Sequence, residues 1–250
     1  MTKLSALEDP TNAPDLLLVH GAWHGPWAWD LLIPHLPGVV RTVALPSSGA
    51  EPSALGGHAE DVDAIRTALA ENSDRPTVVV AHSGSGLSTT RAVCGQQHVV
   101  GVVYVAALVA DVGQRVADLF EGPPPTWWDL HPEEGYVDAR TPLPTFYNDV
   151  PTDIAESCAA RLTHQSLAGD EVELTDAAWR HMPTAYVICD HDRAIAPSVQ
   201  EQMAKHSVRV HHLPSGHSPF LSMPDALATV IRSESEEFMR VSTDQDEEPR

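Results

Sequence analysis

Basic residues are scarce in this chain. Its 250 residues hold 15 lysines and arginines against 35 aspartates and glutamates, a formal net charge of −20. So acidic a surface repels phosphate backbones and anionic headgroups, so neither nucleic acid nor a membrane is an expected partner. Cysteine is scarce too. Cys94, Cys158 and Cys189 are odd in number and far apart, which fits reduced thiols in a cytoplasmic setting better than a disulfide framework. Long apolar runs are missing, and no stretch approaches the roughly 20 residues of a membrane span. The first fourteen residues form a polar tail with Pro10 and Pro14 and lack the apolar core of a signal peptide. No internal repeat is found. The one biased segment is the run Asp244-Gln245-Asp246-Glu247-Glu248, read as part of a solvated, disordered acidic tail over residues 241–250. Metal-ligand spacings such as H-E-x-x-H are absent among the 14 histidines, so no metal and no cofactor is expected.

What remains is an ordinary globular composition, 42% hydrophobic and 20% charged, in a length that suits one substantial α/β domain. Leu16-Leu17-Leu18-Val19 is a continuous apolar run, the mark of a parallel strand covered on both faces. A Gly-punctuated loop follows, then a helix is expected through Trp27, Leu31 and Leu32. Val39 to Leu45 reads as a second strand. Val62, Ile65 and Leu69 fall on one face of a helix between Gly57 and Glu71. Strands are expected at Thr77–Ala81, Val99–Ala107, Ala185–Cys189 and Val208–Leu213. Helices are expected near Ser85–Gln97, Ser198–Lys205 and after Pro224. This alternation predicts a mostly parallel sheet with helices on both faces, built from residues 15–110 and 183–240. Between them, residues 111–182 are rich in proline and lose the periodicity, apart from a short helix at Thr152–Leu162. An inserted cap over the sheet is the expectation.

The stretch Val78-Val79-Val80-Ala81-His82-Ser83-Gly84-Ser85-Gly86 carries the first chemical signal. A β-branched run, a serine at a corner and a helix-compatible stretch have the layout of a nucleophile elbow. The turn pushes the hydroxyl out and aims following N–H groups at developing charge. The usual glycines two before and two after the serine are Ala81 and Ser85 here. A phosphate cradle would need a lysine after the loop, and there is none. Taken alone, the stretch fits a plain strand-to-helix turn equally well.

A serine needs a histidine base, itself oriented by a carboxylate. Functional groups of a parallel sheet collect beyond the carboxyl ends of its strands. His217 lies there, in the turn Pro214-Ser215-Gly216-His217. Asp192 lies just past the strand ending at Cys189, with Asp190 as the rival carboxylate. The order Ser83, Asp192, His217 is that of α/β-hydrolases rather than of chymotrypsin-type or subtilisin-type proteases. An oxyanion would be held by the backbone N–H groups of Gly84 and of Ala22, in the loop after the first strand. His82 is expected to pack behind the corner, and His206, His211 and His212 to be structural or exposed. Trp23, Trp127, Trp128, Phe146 and Tyr147 are candidates for an apolar substrate pocket, or for packing the cap onto the sheet.

The segments Val19–Trp27, Ala81–Gly86 and Cys189–Pro197, with Ser215-Gly216-His217-Ser218 and Phe146–Pro151, resemble the α/β-hydrolase superfamily. Within it they are similar to the branch of plant methyl esterases and hydroxynitrile lyases with their bacterial relatives. The resemblance spans nearly the whole chain and implies the α/β-hydrolase fold. It places the orienting acid at Asp192 rather than Asp190. Lyases of the branch typically have threonine where this chain has Gly21 and lysine after the histidine, where this chain has Ser218. The resemblance therefore implies ester, lactone or related acyl hydrolysis of a small molecule. A hydroxynitrile lyase or carbon–carbon bond-cleaving enzyme, and a slow-turnover ligand-binding receptor that retains the three residues, are the alternatives. A homodimer is compatible with this reading.

Overall fold

The computed structural model describes residues 13–119, 123–168 and 173–247. Most of the expected N-terminal tail, with residues 248–250, lies outside the described residues. Five strands and two α-helices make up the first part of the chain. They are β1 (Asp15–Val19), β2 (Val40–Val43), the two-residue β3 (Ser48–Gly49), α1 (His58–Ala70), β4 (Thr77–His82), α2 (Ser85–Val93) and β5 (Val99–Val105), and all but β3 belong to the core. A segment of small elements follows: β6 (Trp128–His131), β7 (Tyr136–Ala139), α3 (Pro142–Phe146), α4 (Thr152–Ala159) and β8 (His164–Ser166). The core then resumes with β9 (Thr184–Cys189), α5 (Pro197–Ala204), β10 (Arg209–Leu213), α6 (Pro219–Ser222) and α7 (Pro224–Glu247).

Six strands pair in parallel in the order β10-β9-β5-β4-β1-β2. Alternate side chains of the valine- and leucine-rich strands feed two cores. Leu17, Val19, Val79, Val102, Tyr104 and Tyr186 pack on one face against Val62, Ile65 and Leu69 of α1. Leu16, Leu18, Val78, Val80, Val103 and Val187 pack on the other against Leu227, Ile231 and Phe238 of α7. Each such side chain contributes about 1.5–3 kcal/mol when fully buried. The register sets the site: Val19 lies beside Ala81, His82 beside Val105, Val105 beside Val187, and Cys189 beside Leu213. The loops after β1, β4, β9 and β10 therefore open on the same sheet edge.

The structure corrects four sequence expectations. The helix expected through Trp27, Leu31 and Leu32 is two 3₁₀ turns, Pro26–Trp29 and Ile33–His35. Pro34 has no N–H to continue an α-helical ladder. The helix after the corner stops at Val93 rather than Gln97, with Gly95 at φ 80° turning the chain away. The cap segment holds more than one short helix: β6, β7 and β8 form an antiparallel sheet with β3, which lies in the chain before α1. Finally, α7 runs to Glu247 and takes in much of the stretch expected to be a disordered tail. Among the described residues, no helix is long and apolar enough to cross a membrane.

Candidate active site

Strand β4 delivers Ser83 into a sharp corner at φ 54°, in the left-handed region that L side chains rarely adopt. Hydrogen bonds hold it there. The Ser83 N–H donates to the Val105 carbonyl (3.2 Å), and the Ser83 carbonyl accepts from the N–H groups of Gly86 (3.1 Å) and Leu108 (2.9 Å). The space restriction of the corner falls on Gly86, where a Cβ would collide with the Leu108 carbonyl oxygen. Ser85 fits without strain and donates its hydroxyl to the His82 carbonyl at 2.8 Å. Ala81 is a buried strand residue of the core. The two departures from the usual elbow pattern thus occupy positions this corner does not restrict to glycine.

Ser83 Oγ lies 2.9 Å from His217 Nε2, and His217 Nδ1 lies 2.7 Å from Asp192 Oδ2. All three residues are buried. Asp192 Oδ1 accepts from the backbone N–H groups of Ala194 (2.7 Å) and Ile195 (3.0 Å). Asp192 Oδ2 also accepts from the Gln200 side-chain amide (2.8 Å). A carboxylate so supplied with donors has one direction left in which to orient an imidazole. Gly84, next to Ser83, faces Ala22: a Cβ on Gly84 would sit 3.8 Å from the Ala22 backbone nitrogen. Among the described residues, neither the Ala22 nor the Gly84 N–H has an acceptor. The arrangement can pass a proton from a hydroxyl to a carboxylate-oriented imidazole beside two free backbone donors.

The model of the alpha/beta hydrolase family matches residues 16–230. The chain belongs to the alpha/beta hydrolase family. It is an enzyme, and its relatives are named accordingly. It is 28% identical over 248 residues to alpha/beta hydrolase nvfD of Aspergillus novofumigatus, a match covering 91% of this chain and 99% of that one. It is 30% identical over 240 residues to probable hydrolase R7 of a Phoma species, covering 87% and 96%. A pyrethroid hydrolase from Sphingobium faniae shares the fold at a TM-score of 0.77 and 20% identity, covering 89% of this chain and 97% of that one.

In this alpha/beta hydrolase the rival carboxylate Asp190 turns outward and pairs with the exposed His212 at 2.7 Å. Three further histidines line the strand ends. The His82 Nε2–H donates to the His217 carbonyl (2.9 Å), so His82 braces the base from behind. His20 donates from Nδ1 to the Gly21 carbonyl and accepts the Leu45 N–H at Nε2. His24 donates from Nδ1 to the Ala22 carbonyl and accepts the Tyr147 hydroxyl at Nε2 (2.8 Å). Burial disfavours the charged form of each: His20 is lowered to about 4, His24 to about 3, and His82 well below its ordinary value.

The five aromatic candidates gather in one cluster. Trp23 stacks on Phe146 with ring centroids 5.5 Å apart and meets Trp127 edge-on at 5.5 Å and Trp128 at 6.3 Å. Phe146 in turn lies 5.7 Å from the His217 ring. Trp23, Phe146 and Tyr147 are buried, while Trp127 and Trp128 keep partly exposed faces.

Two features escaped the sequence reading. Gln200 is wholly buried and links three groups: its amide nitrogen donates to Asp192 Oδ2 and the Ile195 carbonyl, and its oxygen accepts the Cys189 N–H. A glutamine in an unremarkable helix carries no pattern, and only its spacing eight residues after Asp192 hints at a shared turn. The second is a cap clamp. Asp149 accepts the Gly216 N–H at 2.7 Å, and the Asn148 amide donates to the His191 carbonyl at 3.1 Å. A Cβ on Gly216 would collide with Asn148 Oδ1. The turn after α3 thus holds both loops that carry Asp192 and His217.

Proposed function

We propose that the chain is a cofactor-independent serine hydrolase that cleaves a carboxylic ester, lactone or related acyl bond of a small molecule. The observation that carries this reading is the buried chain Ser83 Oγ–His217 Nε2 (2.9 Å) and His217 Nδ1–Asp192 Oδ2 (2.7 Å), set at a left-handed corner. His217 takes the Ser83 proton as Oγ attacks the substrate carbonyl carbon, and Asp192 stabilises the imidazolium that forms. The tetrahedral oxyanion rests on the N–H groups of Ala22 and Gly84. His217 then protonates the leaving alcohol, and water, deprotonated by His217, releases the acyl group from Ser83. The names of the two relatives, both hydrolases, support the same reaction class. Ser218 directly after His217 supports hydrolysis over cyanide-releasing chemistry, since no ammonium is carried there to receive a departing anion.

The Trp127 and Trp128 faces beside Trp23 and Phe146 suit an apolar or flat acyl portion. A panel of p-nitrophenyl esters and lactones, run with wild type and Ser83→Ala, tests the proposal. Multiple turnovers in wild type and loss of at least about 10³-fold in kcat in a folded Ser83→Ala variant are expected. Wild-type turnover in Ser83→Ala contradicts the mechanism, and stoichiometric binding without turnover across the panel contradicts the activity.

A further inference from the structure

Between β1 and the Ala22 donor the chain passes through Gly21. It runs so close to the corner that a Cβ on Gly21 would stand 2.8 Å from Ser83 Cβ and 2.7 Å from His82 Nδ1. Glycine is the only residue that fits, and its backbone rotates more freely than any other. The orientation of the Gly21–Ala22 peptide is therefore not set by the sterics of Gly21 itself. That peptide carries the Ala22 N–H. A peptide unit is planar and trans, so its N–H points away from its carbonyl, and whatever fixes the Gly21 carbonyl fixes the Ala22 N–H.

Two donors hold the Gly21 carbonyl. The His24 N–H reaches it at 3.3 Å, past the usual range for such a bond, and His20 Nδ1 reaches it at 2.9 Å. The other nitrogen of the buried His20 ring, Nε2, accepts the Leu45 N–H at 3.1 Å, two residues beyond β2. An acceptor at one nitrogen and a donor at the other admit one form of the ring, neutral with its proton on Nδ1. His20 is thus a strut from the end of β2 to the Gly21 carbonyl.

The strut acts on exactly one rotation. Turning the Gly21–Ala22 peptide over would carry the Ala22 N–H away from Gly84 and bring the Gly21 carbonyl oxygen to the place where negative charge develops. The same rotation would leave the His20 Nδ1–H buried without an acceptor, which opposes it. We propose that His20 is a positioning residue: by donating to the Gly21 carbonyl it holds the Gly21–Ala22 peptide with the Ala22 N–H beside that of Gly84 for the oxyanion. This rests on the proposed roles of Ser83, Ala22 and Gly84. His20 itself touches no reacting atom.

Two amide side chains divide the two bonds of the ring between them. His20→Asn places an amide N–H where Nδ1–H stood and leaves the Leu45 N–H without its acceptor. His20→Gln places an amide oxygen where Nε2 stood and leaves the Gly21 carbonyl with the His24 N–H alone. Each variant loses one hydrogen bond, so their urea midpoints should fall alike while their kinetics part. Losing an oxyanion donor outright costs about 10²–10³ in kcat, so a loosened one is expected to cost roughly 10- to 100-fold in His20→Gln, with KM changed less than about threefold. The affinity for a trifluoromethyl ketone, whose adduct places an oxyanion in the same position, should fall by the same factor. His20→Asn should keep kcat and ketone affinity within about threefold of wild type. A folded His20→Gln with wild-type kcat, or one whose kcat falls while ketone affinity is unchanged, overturns the proposal. So does a His20→Asn that loses as much kcat as His20→Gln, since the effect then lies in the Leu45 bond. If one variant does not fold, the other decides alone by its own expected result. Ser83→Ala separates the two levels: wild-type turnover there removes the reading of the site, whereas an inactive Ser83→Ala beside a fully active His20→Gln removes this inference alone.

Discussion

At the scale of single residues, the site depends on which side chains are held and by what. Ser83, Asp192 and His217 were legible because each follows a strand in the chain, and parallel strands deliver their C-terminal loops to one edge. The structure brings them within hydrogen-bonding distance of one another. Gln200 was not legible, because an amide that serves by filling a carboxylate's coordination leaves no spacing or composition signal. Its burial makes its removal expensive. Gln200→Leu leaves the Cys189 N–H and the Ile195 carbonyl without partners and Asp192 Oδ2 with only His217. The expected result is a loss of about 1–3 kcal/mol in urea unfolding and roughly a tenfold fall in kcat/KM. Unchanged kinetics in a destabilised variant would reduce Gln200 to a packing role.

At the scale of elements, the corner after β4 shows how a sequence pattern can be right about layout and wrong about where its constraint falls. The expected glycines concern positions 81 and 85, yet the close approach is at Gly86 against the Leu108 carbonyl. Gly86→Ala is therefore expected to cost about 1–3 kcal/mol by overpacking, read from the urea midpoint. Ser85→Gly, which loses the hydroxyl shared between the His82 carbonyl (2.8 Å) and the Val19 carbonyl (3.2 Å), should cost about 1 kcal/mol. Equal costs would contradict the assignment. The long strands and α1 were readable because apolar residues recur with the right period. The cap strands were not: Trp128–His131, Tyr136–Ala139 and His164–Ser166 are three or four residues long and half polar. Their partner β3 comes from a different part of the chain, so no local pattern could announce the sheet. The proline at position 34 likewise outweighed the apolar spacing that suggested a helix.

At the scale of the whole molecule, three buried neutral histidines, His20, His24 and His82, tie the stability of the fold to pH. Their folded values lie below the ordinary 6.5, so the unfolded chain binds protons that the folded chain refuses. The stability they permit is present above about pH 6.5 and is lost as pH falls toward about 4. Asp61 acts in the opposite sense. Burial raises its carboxyl to about 6, above the ordinary 3.8, so its contribution is present at low pH and is lost as pH rises through about 6. The balance is about two protons taken up on unfolding near pH 5, or roughly 3 kcal/mol per pH unit as an upper bound. Thermal melts from pH 7 to pH 4.5 should show a steady fall in Tm, and a flat profile would contradict the assignment of neutral buried histidines. The excess of acidic residues can be counted in the sequence, but this linkage required knowing which histidines are buried. The proposed chemistry, however, begins at one oxygen atom, Ser83 Oγ. Intact-mass and peptide mass spectrometry after treatment with a fluorophosphonate tests it most directly. One adduct per chain is expected, on Ser83, formed in step with loss of esterase activity and absent from Ser83→Ala. Activity lost with no adduct on Ser83, or full activity in a chain fully labelled there, would contradict it.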